Sequence, residues 1–346
     1  MAERRTNYFL NYLKGLACFG VVFFHVKLPH YVLDGVIQAM FRFAIPLFFM
    51  VSGYFCDISD RDKLEKKLPG KCRHILKISI IGCVYYFLFQ MLIAVFGDSH
   101  GSMSDVMDRL RQCFNVNALF EWVVFNQDPF IHIMWFTFAL LYCYLILWII
   151  NHFNCYHKVF LLIPILIGAH MVMGNVLTLF GMAASKLYYR NFLFFGLPFL
   201  LLGIWIRRNQ DKLLGHFSRR ICMSCMAMGT VLSVIEWFIF GRQEMFFGSI
   251  LFVIGAFLYA IHRPEAKQDS FITIIGDKYS LFVYIVHCSF ISVLDRFAYK
   301  LLPEGGLLTI YNFVKPLLIF AIAVICACVF TYLLNEWQTR REKKHV

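Results

Sequence analysis

Along this chain hydrophobic positions gather into long, nearly unbroken runs separated by short charged segments, without the alternating wet and dry faces of a soluble helix. Runs long enough to cross a hydrocarbon layer of about 30 Å extend from Tyr8 to Val26, Val36 to Cys56, Ile75 to Phe96, Ile131 to Ile150 and Val159 to Gly174. Five more run from Asn191 to Ile206, Ile221 to Phe240, Phe246 to Ile261, Tyr279 to Leu294 and Phe313 to Leu334. The pattern predicts an all-α protein, a polytopic transmembrane helix bundle of about ten spans. Ten spans consume most of the 346 residues, so one domain is expected over 1–346.

Composition strengthens this picture. Charged residues make up 16% of the chain, against about 25% in ordinary soluble domains, and 39 Phe suit helices whose solvent is lipid. The net charge of +12 is not read as affinity for nucleic acid, because the basic residues lie in short runs between apolar segments. With the N-terminus inside, 22 of the 33 Lys and Arg fall on the cytoplasmic side. That asymmetry predicts both termini cytoplasmic, an even number of spans, and a multi-pass protein of the plasma membrane. Arg4 and Arg5 ahead of an apolar run resemble a signal peptide, but Lys14 interrupts the run and no small-x-small site follows, so a retained first helix is expected. The twelve Cys are scattered through apolar segments, and the Cys222–Cys225 pair reads as small helix residues rather than a redox or metal site.

The longest outer connection, Gly97 to Phe130, carries Asp98, Asp105, Asp108, Glu121 and Asp128. Its aromatic second half, Val116 to Phe125, is expected to form an interfacial or re-entrant helix, and the loop is long enough to roof a site.

Ionisable residues inside the spans point to chemistry, because an unpaired charge near mid-bilayer costs about 2.5 to 3.5 kcal/mol. Lys14 and His25 are eleven residues apart, which puts them on one face of the first helix about 16 Å apart along its axis. Two readings of Lys14 stand, a functional cation and one snorkelling to the cytoplasmic surface. Arg42, on the second span, is expected beside His25, and a neutral imidazole there is the form a general base needs. His287 lies deep in the ninth span and requires a partner, whereas Glu236 reads as interfacial. The stretch containing Lys66, Lys67, Lys71, Arg73 and Lys77 is open to two readings, a phosphate-holding cluster and a plain positive-inside loop. No phosphate-binding glycine loop, zinc motif or nucleophile elbow occurs, and no metal is expected.

Five segments carry a family resemblance. Lys14 through His25 resembles an Arg-x10-His signature with Lys in place of Arg. Phe41 through Phe55, containing Pro46-Leu-Phe-Phe, Ser52 and Gly53, is similar to a Pro-Leu-Phe-Phe-x-x-Ser-Gly-Tyr segment. His132 through Tyr142, with Trp135, Phe194 through Gly203, and Tyr279 through His287 resemble three further segments, in the same order. Together they resemble the membrane-bound acyltransferase family 3, which includes O-acetyltransferases of O-antigens and exopolysaccharides. The resemblance implies transfer of an acyl group, acetyl above all, from cytoplasmic acyl-CoA (acetyl-CoA) to a hydroxyl of a cell-surface glycan or similar acceptor. It implies His25 as the base or transient acyl carrier; by analogy with other acyl transfers, Arg42 or another donor would steady the developing oxyanion. Lys14, Lys71 and Arg73 would face the donor. His287, Trp135 and Ser52 are further intramembrane site candidates. Lys in place of Arg at position 14 keeps the charge but loses the planar bidentate fork. The competing class is a transporter or exporter of a polysaccharide or small polar solute, including a serine-uptake-type membrane domain.

Overall fold

The computed structural model describes residues 6–56, 60–96, 103–130, 132–182 and 184–342; Arg4, Arg5, Asp98 and Ile131 lie outside them. Among the described residues every regular element is helical. The principal helices are α1 (Tyr8–His25), α2 (Tyr31–Phe41), α3 (Ala44–Tyr54), α4 (Arg61–Phe96), α5 (Met103–Cys113), α6 (Val116–Phe125) and α7 (Trp135–Phe153). They continue with α8 (Leu162–Met171), α9 (Leu197–Arg208), α10 (Arg219–Phe240), α11 (Phe247–His262), α12 (Ser280–Leu301) and α13 (Gly306–Glu342).

Among the described residues seven helices are long and apolar enough to cross a membrane, or eight if the bent pair Phe192–Arg208 and Gln210–His216, turned through 81°, counts as one. Two of the expected spans fall short of that measure: α1, diluted by Asn11, Lys14 and His25, and α11, of 16 residues. The outer faces of α4, α10 and α13 expose Ile80, Ile81, Val84, Leu88, Val231, Ile235, Phe238, Leu317, Ile325 and Val329. An apolar perimeter of that extent has lipid as its solvent, and the chain is a multi-pass membrane protein.

Two elements differ from the sequence-based outline for identifiable reasons. The basic stretch before the third span is not a loop but the first half of the 36-residue α4. Its Lys, Arg, Glu and Leu are good helix formers, and Leu64, Leu68 and Ile75 recur at helical spacing to bury an inner stripe. The second span is broken into α2 and α3 at Arg42 and Phe43. Pro46 has no N–H to offer the Arg42 carbonyl, so the helical ladder is interrupted there.

The largest apolar core joins α1, α3, α7, α9 and α11. At the crossing of α3 and α9, Gly53 abuts the Leu200 carbonyl and Gly203 abuts the Met50 carbonyl, so any side chain there would collide with backbone. A second core packs α1 against α12 and α13 through Cys18, Val22, Val283, Val286 and Ile319.

Candidate active site

The site is built where α1 runs beside the segment leading into α12. Asn7 starts α1: its side-chain oxygen accepts from the Leu10 N–H at 2.9 Å, and its amide donates to Ala260 O at 3.0 Å. From there α1 and its neighbour run parallel. The Asn11 amide donates to Asp277 at 3.0 Å, the Cys18 thiol reaches Ser280 O at 3.7 Å, and the rings of His25 and His287 lie 5.0 Å apart. A π-helical turn, Ile275–Tyr279, begins this segment and carries Asp277, and Gly276 packs directly on the Asn11 carbonyl. Lys14 donates to Asn11 Oδ1 at 3.5 Å and lies in the field of Asp277. Sequence reasoning did not single out that carboxylate, which reaches Lys14 through Asn11.

His25 and His287 are brought together as two residues of one site. The buried His287 donates from Nδ1 to the Val283 carbonyl at 3.0 Å, and among the described residues its Nε2 has no hydrogen-bond partner. A carbonyl only accepts, so Nδ1 carries the proton and Nε2 is left with its lone pair. One ligand atom each of His25, His287 and Cys288 fall within 4.8 Å of one another. His25 lines two cavities. One, of about 100 Å³, is apolar and aromatic, walled by Phe48, Trp135, Phe136, Tyr284 and His287. The other, of about 400 Å³, is a polar vestibule with Lys27, Asp295, Tyr299, Asn312 and Lys315. Within it Lys315 is paired with Asp295 at 2.9 Å, and Tyr311 donates to the same carboxylate at 2.8 Å.

Arg42 lies near His25 as expected, but its guanidinium is committed. It stands 4.7 Å from the Phe24 ring centre and 3.5 Å from Glu244, with 10% of the Arg42 side chain and 7% of the Glu244 side chain exposed. Glu244 also meets Lys186 at 2.8 Å and Arg190 at 4.0 Å, and Arg42, Arg190 and Glu244 all fall within electrostatic reach of His25. Burial pushes the Glu244 carboxyl up, but Arg42, Arg190 and Lys186 outweigh it and hold the group well below the usual carboxylate range. A separate pair, Arg242 with Asp34, lies alongside, and Asp34 also accepts from Gln38 and the Leu28 N–H.

A buried triplet in the outer loop fixes these parts. Asn126, in the left-handed region at φ 54°, donates to Trp135 O at 3.1 Å and accepts from the Phe192 N–H at 2.9 Å. Gln127 accepts from Arg190 at 3.1 Å, and the Arg190 guanidinium lies 5.3 Å from the Trp135 ring centre. Asp128 accepts from the N–H groups of Phe130, His132 and Met134, at 3.2, 3.2 and 2.8 Å. These three residues hold the start of α7, the π-helical turn Phe192–Gly196 and Arg190 in one register. Helix α6, inside the same loop, buries none of its residues, as an interfacial helix would.

At the other end of the bundle the Ser52 hydroxyl donates to Phe48 O at 2.8 Å and lies near Tyr144. Lys71 lies 5.2 Å from the Tyr144 ring centre and near Cys56, while Arg73 is exposed. Ser52 and Lys71 therefore share one cluster; among the described residues no hydrogen bond or ion pair joins it to Lys14 or Arg73. Glu236 accepts from the N–H groups of Phe247 and Gly248, at 3.1 and 2.8 Å, and so caps α11.

Sequence reasoning missed Glu244, Arg190, Lys186, Asp277 and the Asn126–Asp128 triplet. The triplet had a legible signal, three consecutive polar residues between the apolar Phe125 and Phe130 segments. The others sit in loops or at helix ends, where single charges are ordinary.

The model of the acyltransferase-domain family, Acyl_transf_3, matches residues 7–336. The chain belongs to this family. The match takes in both histidines, the Glu244 cluster and the inner Lys71 cluster, and it supports an acyltransferase-type function for the whole bundle. No curated protein and no solved structure matches the chain.

Proposed function

We propose that the protein is a membrane-bound O-acyltransferase that moves an acyl group, acetyl above all, from cytoplasmic acyl-CoA to a hydroxyl of a cell-surface glycan or similar acceptor. The observation that carries this reading is the position of His25, which lines both the apolar intramembrane cavity and the polar vestibule. The acyl end of the donor occupies the first, against Trp135 and Phe136, and the acceptor enters through the second.

In the reaction His25 takes the proton of the acceptor hydroxyl as its oxygen bonds to the thioester carbonyl carbon. The tetrahedral adduct collapses as the carbon–sulfur bond breaks, and His25 returns the proton to the departing CoA thiolate. The Nε2 of His287, without a hydrogen-bond partner among the described residues, keeps its lone pair in a ring centred 5.0 Å from that of His25 and is available to accept the N–H that His25 gains during proton transfer. Arg42, held by Glu244, keeps the local potential positive while negative charge develops on the carbonyl oxygen. Lys71 and Arg73 contact the donor's phosphates, and Lys14 with Asn11 and Asp277 sets α1 against α12.

The test uses purified protein, acyl-labelled acyl-CoA and oligosaccharide acceptors. Transfer of label to hydroxyl groups supports the reading. Solute uptake into proteoliposomes without acyl-CoA consumption would replace it with transport.

A further inference from the structure

Three cations converge on one carboxylate beside the reacting histidine. Arg42, Arg190 and Lys186 come from three separate segments, and Glu244 is the acid that gathers them. The neighbouring Arg242 is already matched by Asp34, so it supplies no spare negative charge. The cluster carries an excess of two positive charges in a setting where Arg42 and Glu244 are almost fully buried. The excess falls on Arg190, 21% exposed, and Lys186, 58% exposed, a cationic rim that a counter-anion can reach. The donors are also not used up: Arg190 gives one N–H to Gln127, yet among the described residues its buried Nε has no hydrogen-bond partner. The Arg190 guanidinium lies over the Trp135 ring with 21% of the side chain still exposed, so part of it remains open to a ligand. A guanidinium edge with an ammonium beside it matches the paired oxygens of a carboxylate or phosphate.

We infer that Arg190 and Lys186, backed by Arg42 and Glu244, form an anion subsite that holds a carboxylate or phosphate group on the acyl acceptor while its hydroxyl lies at His25. The assignment rests on the proposed O-acyltransfer reaction for the word acceptor; the anion site itself does not. His25 ties the two together, because it lines the vestibule through which the acceptor enters and lies within electrostatic reach of Arg190 and Arg42. The acceptor class is therefore an acidic glycan or a phosphorylated one, in preference to a neutral sugar.

The test is binding by the full chain in phosphatidylcholine nanodiscs, read as thermal unfolding at constant ionic strength. Inorganic phosphate and glucuronate are titrated against chloride controls, and one further sample replaces part of the phosphatidylcholine with phosphatidylglycerol. Phosphate, glucuronate or both are expected to raise the unfolding temperature saturably, by a few degrees. The anion that acts identifies the group. Arg190→Gln is expected to weaken that response about tenfold or more, since a charge-assisted hydrogen bond is worth about 1.5 to 3 kcal/mol. Lys186→Gln, at an exposed position that tolerates change, is expected to weaken it less but measurably. No shift beyond chloride, or equal shifts in wild-type and both variants, overturns the subsite. A response to phosphatidylglycerol alone overturns it too, in favour of a lipid headgroup site. Because binding is read without turnover, loss of the anion response leaves the acyl-transfer reading standing, and failure of acyl transfer leaves the anion site standing.

Discussion

Glu244 holds three cations at the edge of the bundle, and removing its charge leaves Arg42, Arg190 and Lys186 facing one another without a counter-ion. Glu244→Gln is expected to cost about 3 kcal/mol or more, seen as a lower unfolding temperature in detergent. The pH dependence follows from the direction of its shift. A carboxyl held below its unfolded value of about 4.3 contributes its full stability above that pH and loses it only as pH falls through the folded value. The gap between wild-type and Glu244→Gln is therefore full at neutral pH and closes only in strong acid; a gap that narrowed between pH 7 and pH 5 would contradict this. Asp128→Asn removes a carboxylate that accepts three N–H bonds and is expected to destabilise by about 1 to 3 kcal/mol, with Trp135 fluorescence reporting the displaced start of α7. His25 and His287 were legible in the sequence because a histidine within an apolar run is conspicuous. Glu244 was not, because a single acid in Gly-Arg-Gln-Glu is ordinary until three distant cations fold onto it.

Among the elements, the helices were legible and their breaks were not, while seven or eight of the ten expected spans are long and apolar enough among the described residues. Hydrophobic runs located the helices, but whether Arg42 interrupts the second span depends on one missing N–H at Pro46 and on the Glu244 loop that receives the guanidinium. The basic stretch of α4 read as a loop because its charge matched the positive-inside pattern, while the buried stripe of Leu64, Leu68 and Ile75 made it helical. The contact of α3 with α9 depends on Gly53 and Gly203 meeting backbone carbonyls. Gly203→Ala is expected to force the two helices apart and destabilise by about 1 to 3 kcal/mol, measured as a lower unfolding temperature. An unchanged unfolding temperature would show that this crossing has slack.

For the whole molecule the hydropathy pattern anticipated an all-α membrane bundle, and the apolar perimeter and family membership agree with it. Orientation rests on the distribution of Lys and Arg, and Cys155 offers a direct check. It is the exposed thiol among the described cysteines and lies between the fourth and fifth expected spans, on the side assigned to the cytoplasm. A membrane-impermeant maleimide is expected to label it in inverted vesicles and not in right-side-out ones; the reverse pattern would turn the molecule over.

The central claim, that His25 carries out acyl transfer at the meeting point of two cavities, is tested most directly by comparing His25→Ala with wild-type. Both are given acyl-labelled acyl-CoA and an acceptor, with donor binding measured in parallel. The account predicts a fall in transfer of about 10² to 10⁴, the contribution of a general base, with donor binding retained. Transfer at the wild-type rate by His25→Ala would contradict it.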